Sequence, residues 1–194
     1  MPMNAGSRTL ELIPGEPTPR PAAPAEDTPA FEELFARCER RLGRFLVQMV
    51  RDRQLAEDLL QDTFHDAFRD RGRLASVEND EAWLYGIARN RALNALRRRR
   101  RLGVALERLV HRANRPETED HELLALHDLL ERHLSGEERA LLILRYLHDF
   151  SAPELAEMTG KTPEAIRQRV ARAKKKLIAA SRDARTTLVK EEER

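Results

Sequence analysis

The sequence predicts an all-α protein: two small helical bundle domains joined by a flexible linker. Apolar residues recur at steps of three and four over long stretches, the signature of one helix face. Glycine is rare, at 8 of 194 residues, and aromatics make up only 5%, so the cores fall to Leu, Ala, Ile and Val. Residues 102–120 break the periodicity with Pro116 and the acids Glu117, Glu119 and Asp120, and so divide the chain in two.

Residues 1–30 hold seven of the ten prolines, among them Pro14, Pro17, Pro19, Pro21 and Pro24. Proline has no amide donor and disfavours helix in the residue before it, so this leader is expected to be disordered. Periodicity begins at Phe31. Phe31, Leu34, Phe35, Cys38, Leu42, Phe45, Leu46 and Met49 form one face of a five-turn helix. Asp52 is placed to start the next helix, whose buried side reads Leu55, Ala56, Leu59, Leu60, Thr63, Phe64, Ala67 and Phe68. Asp58, Asp62 and Asp66 follow another side of it at i, i+4, i+8, beside Gln61 and His65. A loop over about 70–80 leads to a third helix, which begins near Asp80 and runs into five consecutive arginines, Arg97–Arg101. These elements define a first domain over 31–101.

The linker, 102–120, has room for a short helix at 105–110. The second domain, 121–181, opens with Leu123, Leu124, Leu126, Leu130 and Leu134 at helical spacing. Ser135 followed by Glu138 is a capping box, starting a helix that carries Leu141, Leu144, Tyr146 and Leu147. Ser151 caps a short helix with Pro153 and Leu155, Gly160 supplies the turn, and Thr162 caps a last helix with Pro163 in its first turn. Helix, glycine turn, helix is the helix-turn-helix arrangement. Residues 182–194 are left as a tail.

Composition narrows the function. Lys and Arg total 35 against 33 acids, so net charge says little and its distribution decides. The single Cys38 excludes an internal disulfide and a cysteine zinc cluster. His65, His111, His121, His127, His133 and His148 form no HExxH and no i, i+4 pair, so they are expected at the solvated surface, with no metal site. No GxGxxG, P-loop or GxSxG occurs; neither an enzyme nor a cofactor is expected. The chain shows no signal peptide and no apolar run near the ~18 residues of a membrane span, which predicts a cytoplasmic protein without a membrane partner.

The charge is localised. From Lys161 to Ala180 there are seven basic residues and one acid, Glu164. Ile166, Val170, Ala173 and Leu177 make the buried stripe of that helix. At about 100° per residue, Glu164, Gln168, Ala171 and Lys175 lie opposite, flanked by Arg167 and Arg172, where they can reach base edges in a major groove. Arg169, Lys174 and Lys176 are placed for phosphates. On the third helix of the first domain, Leu84, Ala88, Ala92 and Ala95 face the core, and Trp83, Asn90, Asn94, Arg97 and Arg101 fall in one stripe. Amides bond base edges, guanidinium groups bind phosphate, and an indole stacks on an unpaired base. The linker could span roughly 60 Å when stretched, so the two basic helices could contact DNA more than one duplex turn, about 34 Å, apart.

Three blocks, in order, resemble a known family. "RDRQLAEDLLQDTFHDAFR" and "AWLYGIARNRALNALRRRRR" are similar to region two, and "LSGEERALLILRYLHDFSAPELAEMTGKTPEAIRQRVARAKKKL" to region four, of bacterial RNA polymerase sigma factors of the extracytoplasmic-function (group IV) type. The resemblance covers 31 to about 180. It implies an initiation subunit that binds core RNA polymerase, through the clamp helices of the largest subunit and the flap of the second largest, together with promoter DNA and an anti-sigma factor. It implies a polymerase dock at Asp58, Leu59, Gln61, Asp62 and Phe64. It assigns minus-ten binding and melting to Trp83, Tyr85, Asn90, Asn94, Arg97, Arg98 and Arg101, with a base captured by the loop Arg71–Asn79. It assigns the minus-thirty-five element to Glu164, Arg167, Gln168, Arg169, Arg172 and Lys175. The chain departs from the family at 162–166, where Thr-Pro-Glu-Ala-Ile replaces Ser-x-Gly-Thr-Val, so a methyl on Ala165 stands where a threonine hydroxyl is usual.

Two other classes remain open at this stage. One is a sigma-like mimic that binds an anti-sigma protein and never touches DNA; the arginine run and the basic helix argue against it. The other is a helix-turn-helix regulator acting alone on duplex DNA; the acidic stripe and the Trp83, Asn90, Asn94 pattern fit it less well.

Overall fold

The first helix, α1 (Asp27–Val50), buries Phe31, Leu34, Cys38, Leu42, Phe45, Leu46 and Met49, the stripe its spacing predicts. The structure is a computed structural model that describes residues 27–102 and 121–192, with side chains at 29–101 and 127–182. The leader up to residue 26 and the expected linker, with its short helix at 105–110, lie outside the described residues. Helix α1 starts before Phe31, with Pro29 in its first turn, where a missing amide costs no hydrogen bond.

Asp52 caps α2 (Arg53–Arg69) by accepting from the Leu55 amide at 3.0 Å. The loop after α2 is more ordered than expected: Arg71–Ser76 form a turn of 3₁₀ helix. Asn79 and Asp80 then cap α3 (Asp80–Leu102), the Asn79 side chain accepting from the Ala82 amide at 2.9 Å. Helices α1, α2 and α3 pack against one another as the first bundle. Phe68, predicted on the buried side of α2, is 42% exposed. It packs by its edge on Phe31, 5.3 Å between centroids, while the Arg71 guanidinium covers its ring at 4.2 Å.

The second bundle comprises α4 (His121–His133), α5 (Gly136–Tyr146), α6 (Ala152–Thr159) and α7 (Pro163–Glu192). Both expected serine caps are present. Ser135 and Glu138 form a complete capping box, and so do Ser151 and Glu154. Gly160 has φ +64°, a left-handed conformation that glycine adopts without strain, and it terminates α6. Thr162 Oγ1 accepts from the Ala165 amide at 3.2 Å and starts α7. That helix continues past residue 181 to Glu192. All described regular structure is helical, and no described helix is long and apolar enough to cross a membrane.

The two bundles touch. Helix α3 lies against α5 and α6, and α1 against α5. One continuous apolar cluster runs from Phe45 and Tyr85 in the first bundle to Phe150, Leu155 and Met158 in the second. Tyr85 sits 4.8 Å from Phe150 and 5.6 Å from Phe45, centroid to centroid.

Candidate nucleic-acid interface

Helix α7 is sorted by burial as its spacing predicts. Ile166, Val170 and Ala173 are buried and Leu177 half-buried, while Glu164, Arg167, Gln168, Arg172 and Lys175 are exposed. The exposed face is organised around Glu164. Its carboxylate accepts from Arg167 Nη1 at 2.7 Å and Gln168 Nε2 at 3.2 Å, and these bonds hold its pKa below the usual carboxylate range. A row of cations with one anchored carboxylate can present donors and an acceptor to base edges. Lys174 lies over the Tyr146 ring at 5.8 Å, and Lys176 pairs with Glu138 at 2.5 Å, so both stand to the side of that row. Arg169 is half-buried, with Nη1 3.2 Å from Glu137 Oε2.

On α3 the polar stripe is largely on the surface: Asn90, Asn94, Arg97, Arg98 and Arg101 are exposed and Trp83 is half-buried. Asn94 Oδ1 accepts from Arg97 Nη1 at 2.8 Å, and Asn90 Oδ1 accepts from Arg89 Nη1 at 3.1 Å. With each amide oxygen engaged by a guanidinium, the amide nitrogens carry the donors available to a base. Tyr85 is not on this surface. It is fully buried, and its hydroxyl meets His148 Nδ1 at 3.1 Å.

The arginine run is divided between two roles that sequence alone does not separate. Arg98 and Arg101 point outward, whereas Arg99 turns back to Asp52 at 2.7 Å and to the Val50 carbonyl at 3.3 Å, bracing the α1–α2 turn. Arg91, just before the run, also has a bracing role: it donates to Asp62 at 2.6 Å and, through Nε, to Asp66 at 2.8 Å. The acidic stripe of α2 is therefore partly neutralised from within. Asp58 and Gln61 remain exposed, while Leu59 and Phe64 are each only 7% exposed and support the surface from beneath.

Two histidines depart from the surface positions expected of them. His127 and His148 are buried, at 1% and 6% exposure. His148 lies where the bundles meet: Nε2 faces Gln48 Oε1 at 3.1 Å, and its carbonyl accepts from Arg41 Nη2 at 3.1 Å. Burial, followed by the charges of Arg41 and Arg44, pulls its pKa from 6.5 to about 4. Its setting is built by residues far away in sequence, so no local pattern could have found it. Glu137 was equally hidden, since its place in the first turn after Ser135 reads only as helix-favouring charge.

Residues 34–102 match the family model for Sigma-70 region 2, and residues 123–177 match that for Sigma-70, region 4. The two matches fall on the two bundles. The chain belongs to the sigma-70 family of RNA polymerase sigma factors and is of the extracytoplasmic-function type. It is 37% identical over 152 residues to the RNA polymerase sigma factor CarQ of Myxococcus xanthus, covering 76% of this chain and 87% of that one. It is 31% identical over 154 residues to the ECF RNA polymerase sigma factor SigM of Mycobacterium tuberculosis, covering 79% and 78%. Among solved structures it is similar to the sigma factor RpoE bound to the anti-sigma factor NepR from Bartonella quintana. That match has a TM-score of 0.60 and 25% identity, covering 79% of this chain and 97% of that one. It is also similar to CnrH in complex with the cytosolic domain of CnrY, with TM-score 0.59 and 26% identity, covering 81% and 90%.

Proposed function

We propose that this sigma factor directs core RNA polymerase to promoters by reading two separated elements and by opening the downstream one. The carrying observation is the outward stripe of α3, where Asn90 and Asn94 are each oriented by an arginine and followed by the exposed Arg98 and Arg101. Guanidinium groups hold the phosphates of the non-template strand, the amides bond exposed base edges, and Trp83 at the rim offers a stacking face. Unstacking costs a few kcal/mol per step and falls where stacking is weak. The loop 71–79 receives the displaced base. Tyr85, buried under this surface, acts by supporting it.

Helix α7 enters the major groove of the minus-thirty-five element. Glu164, Arg167, Gln168, Arg172 and Lys175 face it, and Arg169 joins a phosphate once released from Glu137. Core polymerase docks on α2 through Asp58, Gln61 and Asp62, with Leu59 and Phe64 giving the surface its shape, against the clamp helices of the largest subunit. The second bundle meets the flap of the second largest subunit. The protein contributes binding and no catalysis, and it works in the cytoplasm beside the polymerase. An anti-sigma factor is its regulator; the complexes recorded for RpoE and CnrH support this.

Permanganate footprinting of holoenzyme on the chain's own upstream region tests the reading. Thymines of one element should become reactive with the wild-type chain and lose that reactivity with Asn90→Ala. Equal reactivity in both would remove α3 from promoter opening.

A further inference from the structure

A reader of two separated elements should hold its two reading surfaces apart, and this chain holds them together. Glu137 Oε1 lies 3.7 Å from Arg97 Nη2, and its Oε2 lies 3.2 Å from Arg169 Nη1. An arginine of the α3 stripe and an arginine of α7 thus share one carboxylate. Elements centred near minus ten and minus thirty-five lie roughly 80 Å apart along B-form duplex at about 3.4 Å per base pair. No placement of the bundles as they stand can serve both.

The contact between bundles has the character of a fitted interface. Besides the aromatic cluster, Arg139, only 4% exposed, donates to the Met49 carbonyl at 2.7 Å. Asn79 Nδ2 donates to Glu154 Oε1 at 2.8 Å, on the carboxylate that completes the Ser151 capping box. Arg51, 6% exposed, pairs across the junction with Asp128. Backbones approach where side chains are missing: a Cβ placed on Gly86 would lie 3.6 Å from the Met158 carbonyl oxygen, and one on Gly136 would lie 3.1 Å from Leu93 Cδ2. Among the described residues, the non-glycine positions with positive φ are Arg51 and Asp149, at 55° and 62°. They border this junction, and such strain persists where surrounding contacts over-determine the backbone.

The geometry points to a self-latched free chain: the second bundle closes on α3, fastened at Tyr85–His148, Asn79–Glu154 and Glu137, and must swing away before both promoter elements can be engaged. Polymerase, by binding the two bundles separately, supplies the differential affinity that opens it. The consequence for promoters rests on the function proposed above; the closure itself does not.

The test uses an engineered lock. A Cβ on Gly86 would stand 3.9 Å from Met158 Cβ, within the about 3.5–4.5 Å found between the Cβ atoms of a disulfide. The full-length Gly86→Cys, Met158→Cys chain should cross-link nearly completely under mild oxidation. A control pair on exposed surfaces, Glu57→Cys with Ala179→Cys, should not. The oxidised chain should lose run-off transcription with core polymerase by about tenfold or more, the competent fraction having been removed, and reductant should restore it. Absence of the cross-link, or full activity of the locked chain, overturns the latch. A reduced double variant and a wild-type chain that both fail to initiate would instead count against the sigma reading. Small-angle scattering gives a second measurement that needs no cysteine: Gly86→Gln should enlarge the radius of gyration while Gly86→Ala should not, and equal radii for wild type, Ala and Gln overturn the latch as well.

Discussion

Arg97 and Arg169, on helices from different bundles, are bound to opposite oxygens of the Glu137 carboxylate, at 3.7 and 3.2 Å. Each arginine belongs to a surface suited to DNA, so a protein carboxylate occupies cations that phosphate would otherwise take. Glu137→Ala should release both. Affinity for a minus-thirty-five duplex should rise by up to about fivefold, on the scale of a surface ion pair of about 1 kcal/mol. The salt dependence should steepen by about one counterion per arginine gained. Titrations of duplex binding against salt check this, and an unchanged slope would show that Glu137 restrains neither arginine.

Arg172→Ala and Lys175→Ala act on the exposed row of α7, whose buried stripe is on the other side, so the fold should survive both. Loss of an arginine contact to a base should cost about 1–3 kcal/mol and relax specificity at one position, and loss of a phosphate contact should weaken all sequences alike. Binding to a panel of single-base variants of the upstream element separates these outcomes. A panel indifferent to both substitutions would take the reading of that element away from α7.

His148 makes the closed chain sensitive to acid. Its pKa is about 4 in the folded protein against an ordinary 6.5. Arg41 and Arg44 from α1 press the proton off, Asp149 opposes them, and the Tyr85 hydroxyl of α3 meets Nδ1. The unfolded or opened chain therefore takes up a proton first as pH falls. Stability from neutral His148 is fully present above pH 6.5 and is lost progressively between 6.5 and about 4. Denaturant midpoints across that window should decline for the wild type and decline less for His148→Gln. Parallel declines would mean that His148 contributes nothing to the acid response.

Much of this molecule is legible from local pattern. Asp52, Ser135, Ser151, Gly160 and Thr162 each terminate or start a helix by bonding within a few residues, which is why spacing locates them. The buried stripes of α1 and α7 are legible for the same reason: one periodicity decides them. What spacing misses depends on distant partners. Tyr85 shares a helix with Asn90 and Asn94 but is covered by His148 and Phe150 from the other bundle. Arg99 looks like its neighbours in the run, yet Asp52 claims it. Asp62 and Asp66 read as an open acidic stripe until Arg91 is seen between them.

That last pairing shapes the test of polymerase docking. Asp62→Arg would also break the bond to Arg91, so a loss there mixes two effects. Asp58 is exposed on the same helix, and Asp58→Arg should weaken association with core polymerase while leaving thermal stability nearly unchanged, since surface substitutions stay within about 0.5 kcal/mol. Co-elution with core enzyme is the readout, and undiminished co-elution would move the dock elsewhere.

The most direct measurement is run-off transcription from the chain's own upstream region with purified core polymerase. Addition of the wild-type protein should produce a discrete transcript, and the transcript should disappear with Asn90→Ala and fall with Arg172→Ala. No wild-type transcript from any template, or a transcript that forms equally without the protein, would contradict the account.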